Sequence, residues 1–200
     1  MGKFKVVKVK DDGTVEVHGG IRNTLVLSGK RYLLDRIFDT GTHNWDDKMV
    51  THLAIGTSTD TNDGTSGPTP TTPVAQGSGW RGASVYDWKL SDEVARASAS
   101  FRRQGETVFA TATFQNTDFN SYWSAHGTGS VPIVEFGLFL SNTAPTANPL
   151  NDVSQQVNAM FARGVKYTTQ GTGYYIADPI YKADDGNPIA IGYEFSLDPS

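Results

Sequence analysis

The chain contains no cysteine among its 200 residues. This absence excludes disulfide bonds, thiolate nucleophiles and cysteine-ligated zinc, and it is typical of a protein made in a reducing cytoplasm. Long hydrophobic runs are also missing, since the longest apolar stretch, residues 136–140, is far too short to cross a bilayer. The first eight residues lack the apolar segment of a signal peptide. We therefore expect no signal peptide and no membrane partner.

Basic clusters are scarce as well. The chain has 17 Lys and Arg against 21 Asp and Glu, which gives a formal net charge of −4. The densest basic group is interpreted as the solvent-facing side of an N-terminal strand, and it consists of Lys3, Lys5, Lys8 and Lys10. Because a nucleic-acid-binding protein normally carries a basic patch or stripe, we expect no nucleic-acid partner.

Patterns of catalytic residues are missing too. The histidines have neither the spacing nor the flanking glutamate of a metal site, and they are His18, His43, His52 and His126. The adjacent acidic pairs favour solvated turns, whereas a glycosidase needs two carboxyl groups held across a cleft. No Ser-His-Asp spacing, nucleophile elbow or phosphate-binding loop is present. The sequence therefore predicts no catalytic residue, no metal and no cofactor, and we expect a protein that is not an enzyme.

Apolar residues that alternate with polar ones predict at least eight strands. In residues 189–197 every second side chain is apolar, as expected for a strand with one buried face. Asp12-Gly13 predicts a hairpin turn between the first two strands. The expected strands are residues 4–9, 14–18, 21–27, 50–56, 85–90, 94–101, 107–114, 133–140, 160–167, 178–182 and 189–197. The pattern indicates a mainly β fold, an antiparallel β-sandwich or jelly-roll-like domain.

One short helix is expected at about residues 28–38. Ser28 is a suitable N-cap, and Leu33, Leu34, Ile37 and Phe38 follow at helical spacing.

The length predicts a single β domain over residues 1–200, with two additions. Residues 1–20 are interpreted as an N-terminal hairpin extension. Residues 57–79 consist almost entirely of Ser, Thr, Gly, Pro, Asp and Asn, and they predict a long polar loop or arm. In an assembling protein such an arm can become ordered against a neighbour.

Glu135 is a charged residue within an otherwise apolar strand, and Arg163 occupies a similar position in another. A buried charge needs a partner. We therefore predict an ion pair between Glu135 and Arg163 that sets the register of the strands, a structural and not a catalytic role.

The tryptophans lie in polar surroundings. Trp45, Trp80, Trp88 and Trp123, together with Arg81, are candidate interface residues, since Trp and Arg are enriched at protein interfaces. The same tryptophans could instead stack on sugars or cover the ends of the core.

Several segments, taken in order, resemble a loose group of tailed-bacteriophage virion proteins. These segments are residues 22–34, the Ala-Ile-Gly-Thr of residues 54–57, Leu90 with Glu93 and Arg96, the Glu-x-Gly-Leu of residues 135–138, residues 160–163 and residues 189–197. The resemblance spans about residues 20–197. It implies a structural protein of the virion, made in the host cytoplasm, whose partners are other virion proteins such as the major capsid or tail proteins.

Within that group we expect a capsid decoration or cement protein that forms a homo-oligomer such as a trimer. Attachment to the tail fibre or baseplate is the alternative location. A carbohydrate-binding module that uses the tryptophans is the alternative from another functional class, and a glycan hydrolase is a third.

Overall fold

The structure is a computed structural model that describes residues 2–10, 12–38, 43–58, 74–75, 87–127, 129–169 and 174–196. The fold is mainly β with antiparallel sheets, as expected. The strands are β1 (Gly2–Val9), β2 (Val15–Leu25), β3 (His52–Gly56), β4 (Val74–Ala75), β5 (Glu93–Ser98), β6 (Ser100–Gln104), β7 (Thr107–Phe114), β8 (Ser130–Ile133), β9 (Glu135–Phe139), β10 (Met160–Val165), β11 (Tyr167–Thr169), β12 (Tyr174–Ala177), β13 (Ile180–Ala183) and β14 (Ile189–Ser196).

Nine strands form the main sheet in the order β5-β3-β9-β10-β2-β1-β14-β7-β6. The sheet consists of two halves, and β2 passes from one to the other, because its first part pairs with β1 and residues 23–25 pair with β10. β5 and β6 lie on different halves and are separated only by Ala99. Strands that change sheet in this way form the corners of a sandwich.

The core lies between the two halves. In β14 the side chains of Ile189, Ile191 and Tyr193 are buried and alternate with less buried neighbours, which confirms the period of two. Aromatic rings meet across the core, with Phe4 and Phe136 5.6 Å apart between ring centroids. A single hydrophobic cluster includes residues from both halves, so the halves share one core.

Two smaller sheets complete the strands of the described residues. β8 pairs with β13, and β11, β12 and β4 form a three-stranded sheet.

The expected helix is present as α1 (Leu27–Phe38). A second helix, α2 (Asn120–His126), and two 3-10 segments at Asn116–Phe119 and Val153–Asn158 were not predicted. The expectation of one helix is therefore corrected. These elements are only four to seven residues long, and their start and stop signals are local ones that periodicity does not detect. None of the helices among the described residues is long and apolar enough to cross a membrane.

Three expected segments differ in the structure. The hairpin of residues 1–20 is no extension, because β1 lies within the main sheet between β2 and β14. The strand expected at residues 133–140 is divided into β8 and β9 at Val134, whose N–H donates to Gly56 O and whose carbonyl accepts from Lys166 N–H. Residues 87–90, the described part of the strand expected at residues 85–90, are not in a strand. Of the polar arm, only residues 57–58 and the two residues of β4 are described, and the rest of residues 59–79 lies outside the described residues.

His52 provides a pH-dependent contribution to stability. Its ring nitrogens lie 2.8 Å from Thr51 Oγ1 and 3.2 Å from Ser98 Oγ. Burial lowers the pKa of His52, and the positive charge of Arg96 lowers it further. The folded protein therefore binds this proton less readily than the unfolded chain, so stability present above the ordinary histidine pKa of about 6.5 is lost as the pH falls below it.

We expect the urea midpoint to decrease when the pH is lowered from about 7.5 to about 5.5, and His52→Gln to remove part of this decrease. His126→Gln is the control, since His126 is an exposed histidine. An identical pH dependence in His52→Gln and the wild type would contradict the assignment.

Candidate interaction surfaces

Arg163 and Glu135 meet in the interior, on the neighbouring strands β10 and β9. Arg163 Nη2 lies 2.7 Å from Glu135 Oε2, and both side chains are fully buried. The other terminal nitrogen, Nη1, lies 2.8 Å from Asp87 Oδ2, so one guanidinium contacts two carboxylates. The predicted pair is thus part of a larger buried cluster, and its role in setting the register stays a prediction.

The same cluster holds both ends of the segment that connects β3 to β5. Glu135 accepts hydrogen bonds from the backbone N–H groups of Ser91, at 3.0 Å, and Asp92, at 2.7 Å. Thr57 N–H donates to Asp92 O at 3.0 Å, and the Thr57 hydroxyl donates to the Asp92 carboxylate. We call Thr57, Asp87, Asp92, Glu135 and Arg163 the anchor cluster, because they fix residues 57 and 92 next to each other.

Gly56 is required at this place. A Cβ at Gly56 would lie 2.4 Å from both Asp92 O and Glu135 Oε1, closer than such atoms approach in proteins. The Ala-Ile-Gly-Thr and Glu-x-Gly-Leu motifs therefore meet in space, and part of each builds the anchor cluster.

The Leu-x-x-Glu-x-x-Arg motif lies directly beside it. Arg96 makes two hydrogen bonds to the Glu93 carboxylate, at 2.7 and 2.8 Å, and its guanidinium lies 3.7 Å from the centre of the Phe139 ring. Leu90 is buried in the same small cluster as Phe139. These contacts give the motif a structural role, since they link β5 to β9 across the intervening strand β3.

In the anchor cluster, burial and the charges of neighbouring groups act in opposite directions on the pKa values of Glu135 and Arg163. Burial raises the pKa of Glu135, opposed by the charge of Arg163 and by the two backbone N–H donors. The pKa of Arg163 is raised further above its already high value, because the two nearby carboxylates outweigh the effect of its burial. The guanidinium therefore stays charged, and the carboxylates depend on it for compensation.

The candidate tryptophans do not assemble into one platform among the described residues. The expectation that Trp45 is an interface residue is corrected by the structure. Its side chain is fully buried and its Nε1 donates to Asp35 Oδ2 at 3.0 Å, so it cannot contact a partner at the surface. Trp123 is half-buried and packs against Phe119, with ring centroids 5.8 Å apart. Trp88 is half-buried, with Lys89 Nζ 5.0 Å from its ring centre. Trp80 and Arg81 lie outside the described residues.

A large exposed apolar surface lies where α1 approaches β6 and β7. It surrounds a cavity of about 510 Å³, and we call it the apolar basin. The lining residues belong to α1, to the segment before β3, to the corner between β5 and β6, and to the strands β7, β9, β10 and the end of β14. The lining residues are Tyr32, Leu33, Met49, Val50, Thr51, Ala99, Phe101, Val108, Ala110, Leu138, Phe161, Tyr193 and Phe195.

Several of these side chains are unusually exposed for their size. Met49 is 68% exposed and Phe101 is 44% exposed. Ile37 and Phe38, at the last turn of α1, do not line the basin, and they are 67% and 66% exposed. Exposed apolar surfaces are typical of interaction sites.

The side chains that line the basin favour apolar contact and not acid–base chemistry. None of its lining residues is acidic, basic or a histidine. The hydroxyl groups of its two buried tyrosines already make hydrogen bonds. The Tyr32 hydroxyl donates to Lys48 O at 2.8 Å, and the Tyr193 hydroxyl accepts from Asn23 Nδ2 at 2.9 Å. Burial raises the pKa of both tyrosines, so the phenols stay neutral.

Two other cavities are more polar. One, of about 370 Å³, lies beside His18, Lys166, Tyr167 and Asp178. Lys166 already pairs with Asp178, and His18 Nε2 lies 3.0 Å from Glu16 Oε1. The other, of about 430 Å³, is a groove on the outer face of β1, β14 and β7. Among the described residues no group of three or more acidic, histidine or cysteine side chains could hold a metal ion.

Comparison of this chain with protein-family models, with curated proteins and with solved structures finds no match.

Sequence reasoning predicted Glu135 and Arg163 but missed Asp87 and the basin. The sequence predicts a strand at residues 85–90, and nothing in that pattern indicates that its acidic residue, Asp87, is buried. The basin residues are scattered from Tyr32 to Phe195, so no local pattern joins them.

Proposed function

We propose that this chain is a non-enzymatic structural protein of a tailed-bacteriophage virion that attaches to a neighbouring virion protein through the apolar basin. Capsid decoration, in which the protein caps or cements the head surface, is the preferred location. Attachment to the tail fibre or baseplate is the alternative. The sequence resemblance supplies the class of particle, and the basin supplies the means of attachment.

The apolar basin is the observation that carries the proposal. Burying apolar surface releases about 25 cal/mol per Å² in free energy, so exposed side chains such as Met49 and Phe101 favour a protein partner. The anchor cluster also holds Thr57, the first residue of the polar arm, next to Asp92.

The proposed partners are the major capsid protein or a tail protein, and the proposed state is a homo-oligomer such as a trimer. Assembly would take place in the host cytoplasm, with the virion as the final location. This function needs no cofactor, nucleic acid or membrane.

The first test is the content of purified particles. Virions from cells that carry the encoding genome should contain this chain in a fixed ratio to the major capsid or tail protein, measured by quantitative mass spectrometry. Particles that lack the chain would show that the proposal is wrong.

A second test uses variants of the basin. Met49→Glu with Phe101→Glu should weaken binding to particles at least about 10-fold, or about 1.4 kcal/mol, because charges would enter an apolar interface. The matched control is Val153→Glu with Tyr181→Glu, two exposed apolar residues that do not line the basin. Equal loss in both double variants, with unchanged melting temperatures, would exclude the basin as the attachment surface.

A further inference from the structure

The strand β6 lies at an edge of the main sheet and borders the apolar basin. Among the described residues it pairs only with β7, and all five of its residues are exposed. An edge strand has backbone donors and acceptors that can pair with another extended chain.

Side chains of β6 point to two faces with different chemistry. Phe101 lies opposite Ala110 and Arg103 opposite Val108, so both share the face of the basin. Arg102 lies on the other face, with its guanidinium 5.6 Å from the centre of the Phe109 ring. The edge therefore offers apolar contact on one side of a pairing strand and a positive charge on each side.

Pairing with a second copy of β6 is disfavoured in three of its antiparallel registers. In an antiparallel pair whose register is centred on Arg102, this residue lies opposite its own copy. Shifting the register by one position places Arg102 opposite Arg103, and by two positions places Arg103 opposite itself. Like charges directly opposite each other destabilise a strand pair.

Charges on an edge strand also protect a protein from aggregation. Protection alone does not account for the basin, since it leaves Phe101 and Met49 exposed beside this edge strand. A partner strand would satisfy both features, because its backbone would pair with β6 and its apolar side chains would cover Phe101.

We propose that the outer edge of β6 binds an extended segment of a partner protein in which apolar and acidic residues alternate. The apolar side chains pack into the basin beside Phe101, and the acidic side chains lie on the opposite face, where they pair with Arg102. This proposal names the chemistry of the partner in the proposed attachment and in that respect rests on the proposed function.

Two capped peptides test the chemistry on the isolated protein. One alternates valine with glutamate, and the other alternates valine with lysine. At about 1 mM peptide, the range in which weak peptide binding becomes visible, the glutamate peptide should protect amides of residues 100–104 from hydrogen exchange, measured by NMR. The lysine peptide should protect them at least about 10-fold less. No protection by the glutamate peptide, or equal protection by both, would overturn the proposal.

Charge reversal provides the matched variants. Arg102→Glu with Arg103→Glu should exchange the preference, so that the lysine peptide now binds β6. Lys30→Glu with Arg31→Glu alters the net charge equally at exposed positions of α1 and should leave the preference for glutamate intact. An exchange in both double variants would show that only overall charge matters and would overturn the site. Absence of the chain from virions would leave these peptide results unaffected, so the two proposals fail separately.

Discussion

Replacing Arg163 with methionine is expected to lower the free energy of unfolding by about 3–5 kcal/mol, measured by urea denaturation. Methionine fills most of the volume of the side chain but leaves Glu135 and Asp87 buried without the guanidinium that contacts both. The loss of compensation therefore outweighs the gain from an apolar side chain. A substitution at an exposed position would not lower the free energy of unfolding by this much, since such substitutions usually change stability by less than about 0.5 kcal/mol.

The deficit of Arg163→Met should also depend on pH. Burial already raises the pKa of Glu135 in the wild type, and removal of Arg163 takes away its strongest opposing charge. The folded variant should then bind a proton more readily than the unfolded chain, so its stability should increase as the pH falls toward the ordinary glutamate pKa of about 4.3.

Two variants control this experiment. Glu135→Gln combined with Arg163→Met should recover part of the loss, because only Asp87 then remains as a buried carboxyl group in the cluster. Arg102→Met, at an exposed arginine of β6, should stay within about 0.5 kcal/mol of the wild type. If Arg163→Met is no more destabilising than Arg102→Met, or if Arg163→Lys and Glu135→Gln leave stability unchanged, the cluster does not stabilise the fold.

Gly29→Ala is expected to destabilise the protein by about 3 kcal/mol, although alanine is the better helix former by about 1 kcal/mol. Gly29 lies in the first turn of α1, and a Cβ there would be 2.0 Å from Phe161 O on β10. The three nearest atoms all belong to the Phe161 backbone, so the helix would have to move away from the strand. That movement would break the hydrogen bond from Ser28 Oγ to Met160 O, now 2.7 Å long. Steric cost therefore exceeds the gain in helix propensity.

Gly19→Ala is the matched control, since a Cβ at Gly19 would meet nothing within 4 Å. It should be neutral or slightly stabilising, because alanine reduces the conformational entropy of the unfolded chain. Thermal unfolding compares the two variants, and a Gly29→Ala protein that melts at or above the Gly19→Ala temperature would contradict the close contact between α1 and β10.

Strands and helices with a strong period were predictable. Residues 107–114 and 189–197 alternate so regularly that the strands β7 and β14 have almost the expected bounds. α1 begins within one residue of the expected start, because Ser28 and the apolar spacing are local signals. The break at Val134 was not predictable, since tertiary hydrogen bonds decide it. The short helices were missed because their caps are local signals in segments too short to show a period.

Burial of single residues was less predictable than periodicity. Trp45 has polar neighbours in sequence, yet it lies in the core because Asp35 on α1 accepts its indole N–H. Tryptophan occurs both at interfaces and in protein interiors, so only the surrounding fold decides whether a given tryptophan is exposed or buried.

The amino-acid sequence by itself determined the mainly β class, the central helix α1 and the need for a partner to Glu135, because periodicity and an isolated charge are local properties. Only the tertiary structure decided that Arg163 also compensates Asp87, that both ends of the segment connecting β3 to β5 meet at the anchor cluster, and that an apolar basin borders the edge strand β6. These features join residues as far apart as Thr57 and Arg163, or Tyr32 and Phe195. Their contacts depend on strands that change sheet at β2 and between β5 and β6, and no short-range pattern encodes where such a corner forms.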